Sequence, residues 1–203
     1  MPALLINSDL VKKDEVTSLY DLLDPKWKGK MVIQDPRVAG SGNALLFALS
    51  GLGEDFWRKL AGQDPLMLTG AVQVVDRVVY GERRVAIGAS GTRAAVSIRA
   101  GAPVEFVHVK EGTYSVTKGA ILVRDAPHPN AALLLLNWLL TKEGQIAINK
   151  AAEHVPIRAD IVPDWLHPIR RPSAAYKLLP PVDTDPLYQE KANELAIKIW
   201  GKR

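Results

Sequence analysis

Apolar residues along this chain recur in two rhythms. Short apolar runs at residues 3–6, 31–33, 65–68 and 85–88 predict strands, and the alternation over 104–109 predicts another. Helical spacing predicts helices at 44–50, at 54–60 with Phe56, Trp57 and Leu60 on one side, and at 92–99. The segment 69–81 is the most instructive. Its valines suit a strand, yet the apolar positions 71, 74, 75, 78 and 79 keep the helical period. The expectation is a helix with Thr69 as N-cap and Gly81 closing it. Ser18 is placed to cap a helical turn through Leu23. Residues 114–123 read as extended, interrupted at Lys118-Gly119. His128-Pro129 opens a helix through Leu140, with proline in the tolerated first turn. The run 131–140, broken by Asn137, is too short to span a membrane and predicts a buried helix. Thr141 caps the next helix, through about residue 152, residues 156–181 are proline-rich and irregular, and 187–200 is a closing amphipathic helix. Strands alternating with helices predict a layered α/β fold, and no internal repeat interrupts the pattern.

Bulk composition narrows the function classes. The 203 residues are 47% hydrophobic and 24% charged, enough for a sizeable core. The net charge of +4 is mild and spread along the chain, which favours anionic partners in general without indicating nucleic acid. Arg83-Arg84 and Arg170-Arg171 are pairs rather than basic tracts. With no cysteine, disulfides, thiol catalysis and thiolate metal sites are excluded. Residues 1–7 carry no basic region or cleavage site of a signal peptide.

The candidate chemistry sits in turns between strands and helices. Gly40-Ser41-Gly42-Asn43 follows a strand and opens a helix at Ala44. Glycines let backbone approach a ligand closely, and free N–H groups at a helix start favour carboxylate, phosphate or carbonate. Ser41 can add a hydroxyl and Arg37 a charge; a simple loop with Ser41 as cap is the plainer alternative. Thr69-Gly70 and Ser90-Gly91 are two further helix starts, each also explicable as a cap. Three such turns at the carboxyl ends of neighbouring strands would converge where α/β proteins bind ligands. No catalytic set emerges: there is no nucleophile elbow and no phosphate loop with its lysine. Glu54-Asp55 suits a helix first turn, and Asp183 with Asp185 is a weak calcium suggestion. His108, His128 and His167 lack metal-ligand spacing, and His128 reads as a cap. No metal or cofactor is expected.

Residues 21–30, DLLDPKWKGK, run into a strand and then Asp35-Pro36 with Gly40-Ser41-Gly42. This order resembles the solute-binding proteins of ABC importers, in the branch that includes ferric-ion binders. Residues 3–11 resemble that family's first hinge crossing, and Glu111-Gly112-Thr113 its return crossing. Residues 126–132 and 139–145 resemble its "A-P-H-P-E-A-A" and "L-L-S-K-E-G-Q" segments. The resemblance implies a type II periplasmic-binding fold, with 30–107 as a complete second α/β lobe and 1–29 plus 108–203 as hinge and partial first lobe. It implies capture of a small anionic solute, or a ferric ion with an anion, in an interlobe cleft, delivery to a membrane permease, and no enzymatic reaction. The ligand-binding residues it implies are Arg37, Ser41, Gly42, Asn43, Thr69, Gly70, Ser90 and Tyr114. Tyr114 would close over a ligand or, alternatively, sit half packed at a strand start.

Two departures matter. Iron-binding members carry adjacent tyrosines before a "P-V-R" segment, whereas this chain has His154 and Val155 before Pro156-Ile157-Arg158. Glu153 and His154 alone do not make a metal site. The family's leading portion, with signal peptide and most of the first lobe's sheet, is also absent from this sequence. Exposed sheet edges would then favour poor solubility, dimerisation or strand exchange. A periplasmic or extracellular, membrane-associated location follows from the resemblance. The same fold also serves as the sensing domain of transcriptional regulators, and an enzyme on it would need a reactive group in the cleft.

Overall fold

The computed structural model describes residues 4–116, 118–171, 177–182 and 185–202. The chain divides into two compact units, Thr117–Pro172 and the remainder.

The larger unit is built on a five-stranded sheet. Its strands are β1 (Leu4–Asn7), β2 (Met31–Gln34), β3 (Leu66–Leu68), β4 (Val85–Ile87) and β5 (Val104–Val107), in the order β3-β2-β4-β1-β5. β2 pairs in parallel with β3 and β4, while β1 runs antiparallel between β4 and β5. β1, β2 and β4 are buried along their whole length, which explains their continuous apolar sequences. Helices α1 (Ser41–Ala48), α2 (Glu54–Gly62), α3 (Ala71–Val79), α4 (Gly91–Arg99) and α7 (Tyr188–Trp200) complete this unit. The core joins Leu4, Ile6, Met31 and Ile33 to Leu45, Leu49, Trp57 and Leu60. At the start of the chain, Ser18 caps a 3₁₀ turn over Leu19–Leu23 by accepting from Tyr20 N, and Asp24 caps the next turn.

The valine-rich segment is helical. Val74, Val75 and Val78 are buried, so the 3.6-residue rhythm outweighs β propensity. Its N-cap is Gly70 rather than Thr69, and no side chain caps it. α1 begins at Ser41, three residues earlier than expected. Gly42 allows this, because a Cβ there would lie 2.0 Å from the Gln34 carbonyl oxygen.

The smaller unit contains α5 (Pro129–Leu140) and α6 (Lys142–Ala152), with a 3₁₀ turn at Pro168–Arg170. Thr141 caps α6 through Gly144 N–H, as its position predicts. His128 stands at the N-cap of α5, but its side chain makes no capping bond. One expectation fails here. α5 is not buried: none of its residues is, and Leu134 is 73% exposed. The run is apolar around most of its circumference, with Asn130 and Asn137 sharing one stripe, and within this unit α6 is the described helix that packs on it. This unit is held instead by a polar network. Gln145 Nε2 donates to Leu139 O at 2.7 Å, while Gln145 Oε1 accepts from Ile157 N–H and Asn149 Nδ2. Arg170 Nη2 donates to Glu153 O at 2.8 Å, and Glu153 itself takes a left-handed conformation at the end of α6.

Candidate functional site

Parallel pairing sets Gln34 beside Leu68 and Ile33 beside Ile87. The carboxyl ends of β2, β3 and β4 therefore share one sheet edge, and each chain leaves it by a turn into a helix, α1, α3 and α4 respectively. Three helix N-termini thus follow three neighbouring strand ends, an arrangement whose backbone N–H groups favour negative charge.

Sequence reasoning missed the residue that ties this edge together. Gln34 closes β2 and is buried. Its Nε2 donates to Thr69 O at 3.0 Å, in the turn before α3. Its Oε1 accepts from Gly42 N–H at 3.0 Å, at the start of α1. The Ser41 hydroxyl, with one proton to give, lies against both Gln34 Oε1 (2.6 Å) and the Gly88 carbonyl. Gln34 and Ser41 thereby link all three turns. The available signal was a polar residue ending an otherwise apolar strand just before the glycine loop. Gly88 serves the same packing: its φ of 68° lies in the left-handed region, and a Cβ there would sit 3.3 Å from Ser41 O.

The eight expected ligand residues separate into two groups. Ser41, Gly42, Thr69, Gly70 and Ser90 stand at the shared edge. Their donors are unequally committed: Gly42 N–H is bonded to Gln34, and Ser90 Oγ accepts from Arg93 N at 3.4 Å to cap α4. The start of α3, beside exposed Thr69, has no side-chain cap. Arg93 also reaches across to α3, with Nη2 2.7 Å from Asp76 Oδ1.

Arg37, Asn43 and Tyr114 perform internal tasks. The Arg37 fork meets both oxygens of Asp35 at 2.9 Å, and this bond raises the guanidinium pKa further despite partial burial. Its Nη1 points to Trp200 O and Gly201 O beyond the end of α7. Asn43 Nδ2 donates to Pro36 O at 2.9 Å. Tyr114 is 1% exposed, so it is not half packed at the surface. Its hydroxyl donates to Ser41 O at 3.0 Å, and burial pushes its pKa upward. Glu111, at the predicted return crossing, accepts from Leu19 N–H and the Ser18 hydroxyl, bracing the first 3₁₀ turn. A cavity of about 350 Å³ opens beside this group, lined by Arg37, Ala39 and Asn43 with Gln189, Glu190 and Asn193 of α7.

In the smaller unit, His154 Nε2 lies 3.2 Å from Lys118 Nζ. Burial lowers the His154 pKa, and the cations of Lys118 and Arg170 lower it further. Among the described residues, no three of His, Cys, Asp and Glu gather as metal ligands. Asp183 lies outside the described residues; Asp185 pairs with Lys191 at 2.6 Å and accepts from Leu187 N–H. No described helix is long and apolar enough to cross a membrane.

Comparison with known proteins places this geometry. A curated relative, an uncharacterized protein of Haemophilus influenzae, is 30% identical over 156 residues, covering 69% of this chain and 45% of its own length. The chain therefore spans about half of that relative. The periplasmic binding protein AfuA of Actinobacillus pleuropneumoniae, with exogenous fructose-6-phosphate bound, superposes with a TM-score of 0.73 at 22% identity. That match covers 97% of this chain and 65% of AfuA. The Trichodesmium protein IdiA (FutA), in complex with iron and citrate, gives 0.74 at 19% identity, over 99% of this chain and 68% of its own. These likenesses establish the fold as that of the type II periplasmic binding proteins. The bacterial extracellular solute-binding protein family matches residues 2–151, three quarters of the sequence, and to that family this chain belongs.

Proposed function

We propose that this chain is solute-binding machinery of an ABC importer, and that the shared strand-end edge holds the anionic group of a small solute for delivery to a membrane permease. The observation that carries this reading is the alignment of three strand ends in one register, each leading into a helix start, with the start of α3 left without a side-chain cap. Thr69 and Gly70 would meet the anion first. Ser41, Gly42 and Ser90 would shape the edge, while Arg37, Asn43 and Tyr114 support it from behind. Residues 30–107 are assigned by the same proposal to a second lobe, with 1–29 and 108–203 contributing to the first and the chain crossing between them near 7–12 and 108–113.

Two observations favour an oxyanion over a bare ferric ion. Tyrosines are absent at His154 and Val155, and the Lys118 ammonium beside His154 repels a metal cation. The fold relatives also hold oxyanion-bearing ligands, fructose-6-phosphate in one and citrate with iron in another.

Titration calorimetry of the full chain with inorganic phosphate, citrate and fructose-6-phosphate tests the reading. Saturable binding of one of them should drop about tenfold or more in Thr69→Glu, whose carboxylate would face the same N–H groups. Circular dichroism would show that the variant keeps its fold. Undiminished anion binding in a folded Thr69→Glu protein would move the site away from this edge.

A further inference from the structure

In the smaller unit, Lys118 and His154 bring two nitrogen groups face to face. His154 follows the left-handed Glu153 that ends α6. Its backbone is held on both sides: the N–H donates to Asn149 O at 2.9 Å, and the carbonyl accepts from Trp165 Nε1 at 3.3 Å. The imidazole is half-buried, and its Nε2 lies 3.2 Å from Lys118 Nζ. An ammonium can only donate, so Nε2 accepts and the imidazole proton sits on Nδ1.

The charges around this pair do not cancel. Arg170 and Glu153 answer each other, with Nη2 donating to Glu153 O at 2.8 Å and Nη1 3.6 Å from Oε2. Lys118 is exposed and, among the described residues, pairs with no carboxylate. Lys118 and Arg170 against Glu153 leave one net positive charge around His154. Burial first, then the Lys118 and Arg170 cations, hold the imidazole below its ordinary pKa. A metal cation would find the Nε2 lone pair taken by the ammonium. An oxyanion reverses this arrangement. Against Nζ it accepts from the two N–H groups that His154 leaves free, and its charge draws a proton onto Nε2, which becomes a further donor.

We propose that Lys118 and His154 form a binding site for a tetrahedral oxyanion, sulfate or phosphate, and that the site fills as His154 takes one proton from solvent. Every residue of the site belongs to the smaller unit, so it stands independently of anion binding at the strand-end edge.

The test is NMR of the full chain, following the His154 imidazole Cε1–H signal from about pH 5 to about pH 8, with the signal identified by its loss in His154→Gln. Sodium sulfate, whose charge is constant over this range, is compared with sodium chloride at matched ionic strength. The expected result is a saturable rise of the His154 titration midpoint by about one pH unit with sulfate and none with chloride. By linkage, sulfate affinity should fall about tenfold between the acid and alkaline ends of the range. Lys118→Gln should abolish the response to sulfate. A midpoint that sulfate leaves where chloride does would overturn the proposal, and so would an equal response in Lys118→Gln. The response should persist in Thr69→Glu. Its loss there would place the sulfate at the strand-end edge and overturn the site proposed here, without touching the reading of that edge.

Discussion

The two units of this molecule bury apolar groups to very different extents. In the larger unit, apolar side chains of the sheet, α1 and α2 meet in one continuous core. In the smaller unit Gln145, Asn149 and Glu153 are buried beside only Ile161 and Leu166 among the described apolar side chains, while Leu134, Leu135, Leu140 and Ile157 face outward. The apolar pattern is equally strong in both. An apolar pattern therefore records what a segment needs to cover, and only in the larger unit do the chain's own elements meet that need. A helix apolar around most of its circumference belongs in an interior with neighbours on more than one face.

The sharpest way to break this comparison is truncation on each side of it. Trp57→Ala, at a site 1% exposed, should cost about 3–5 kcal/mol in denaturant unfolding. Leu134→Ala should stay within about 0.5 kcal/mol. If the two losses matched, α5 would be covered in solution and the contrast would disappear. A smaller effect sharpens the other half. Gln145→Leu strands the Leu139 carbonyl and Ile157 N–H, so it should loosen the smaller unit by about 1–3 kcal/mol. Hydrogen exchange should then accelerate at Ile157 while β2 and β4 keep their protection.

The smallest effect is electrostatic. The His154 pKa is held below its ordinary 6.5 by burial first, then by Lys118 and Arg170, while Glu153 pairs with Arg170. Between the folded and unfolded values the unfolded chain binds more protons. This contribution to stability is therefore complete above about pH 6.5 and is lost as pH falls through the folded value. Lys118→Gln should raise the His154 pKa toward its ordinary value, read from the imidazole Cε1–H signal. An unmoved titration would show that Lys118 does not face His154 in solution.

Much of the fold was legible because local and tertiary demands agree. The helical spacing of the valines in α3 was decisive because the sheet lies against that one side. Strands β2, β3 and β4 were equally plain from their apolar runs and the turns that follow. The site was less legible. Gln34 could not be recognised as a brace from sequence, since its link from the nearby Ser41-Gly42 turn to distant Thr69 depends on the pairing of β2 with β3. The burial of Tyr114 was hidden for a related reason: only the fold brings its hydroxyl to the first turn of α1, 73 residues away in sequence. α5 misled in the opposite sense, because burial depends on elements that its own sequence does not contain.

The sheet order has a consequence for how the protein is made. β1 is synthesised first, yet it lies between β4 and β5 and pairs with Ile87 on one side and Val107 on the other. At bacterial rates of about 5–20 residues per second, the ribosome needs roughly 5–20 s to travel from the first strand to the end of the fifth. Until β4 is made both edges of β1 lack their partners, and the edge that meets β5 stays open until residues 104–107 follow, so Leu4, Leu5 and Ile6 are the last stretch of the sheet's centre to be covered.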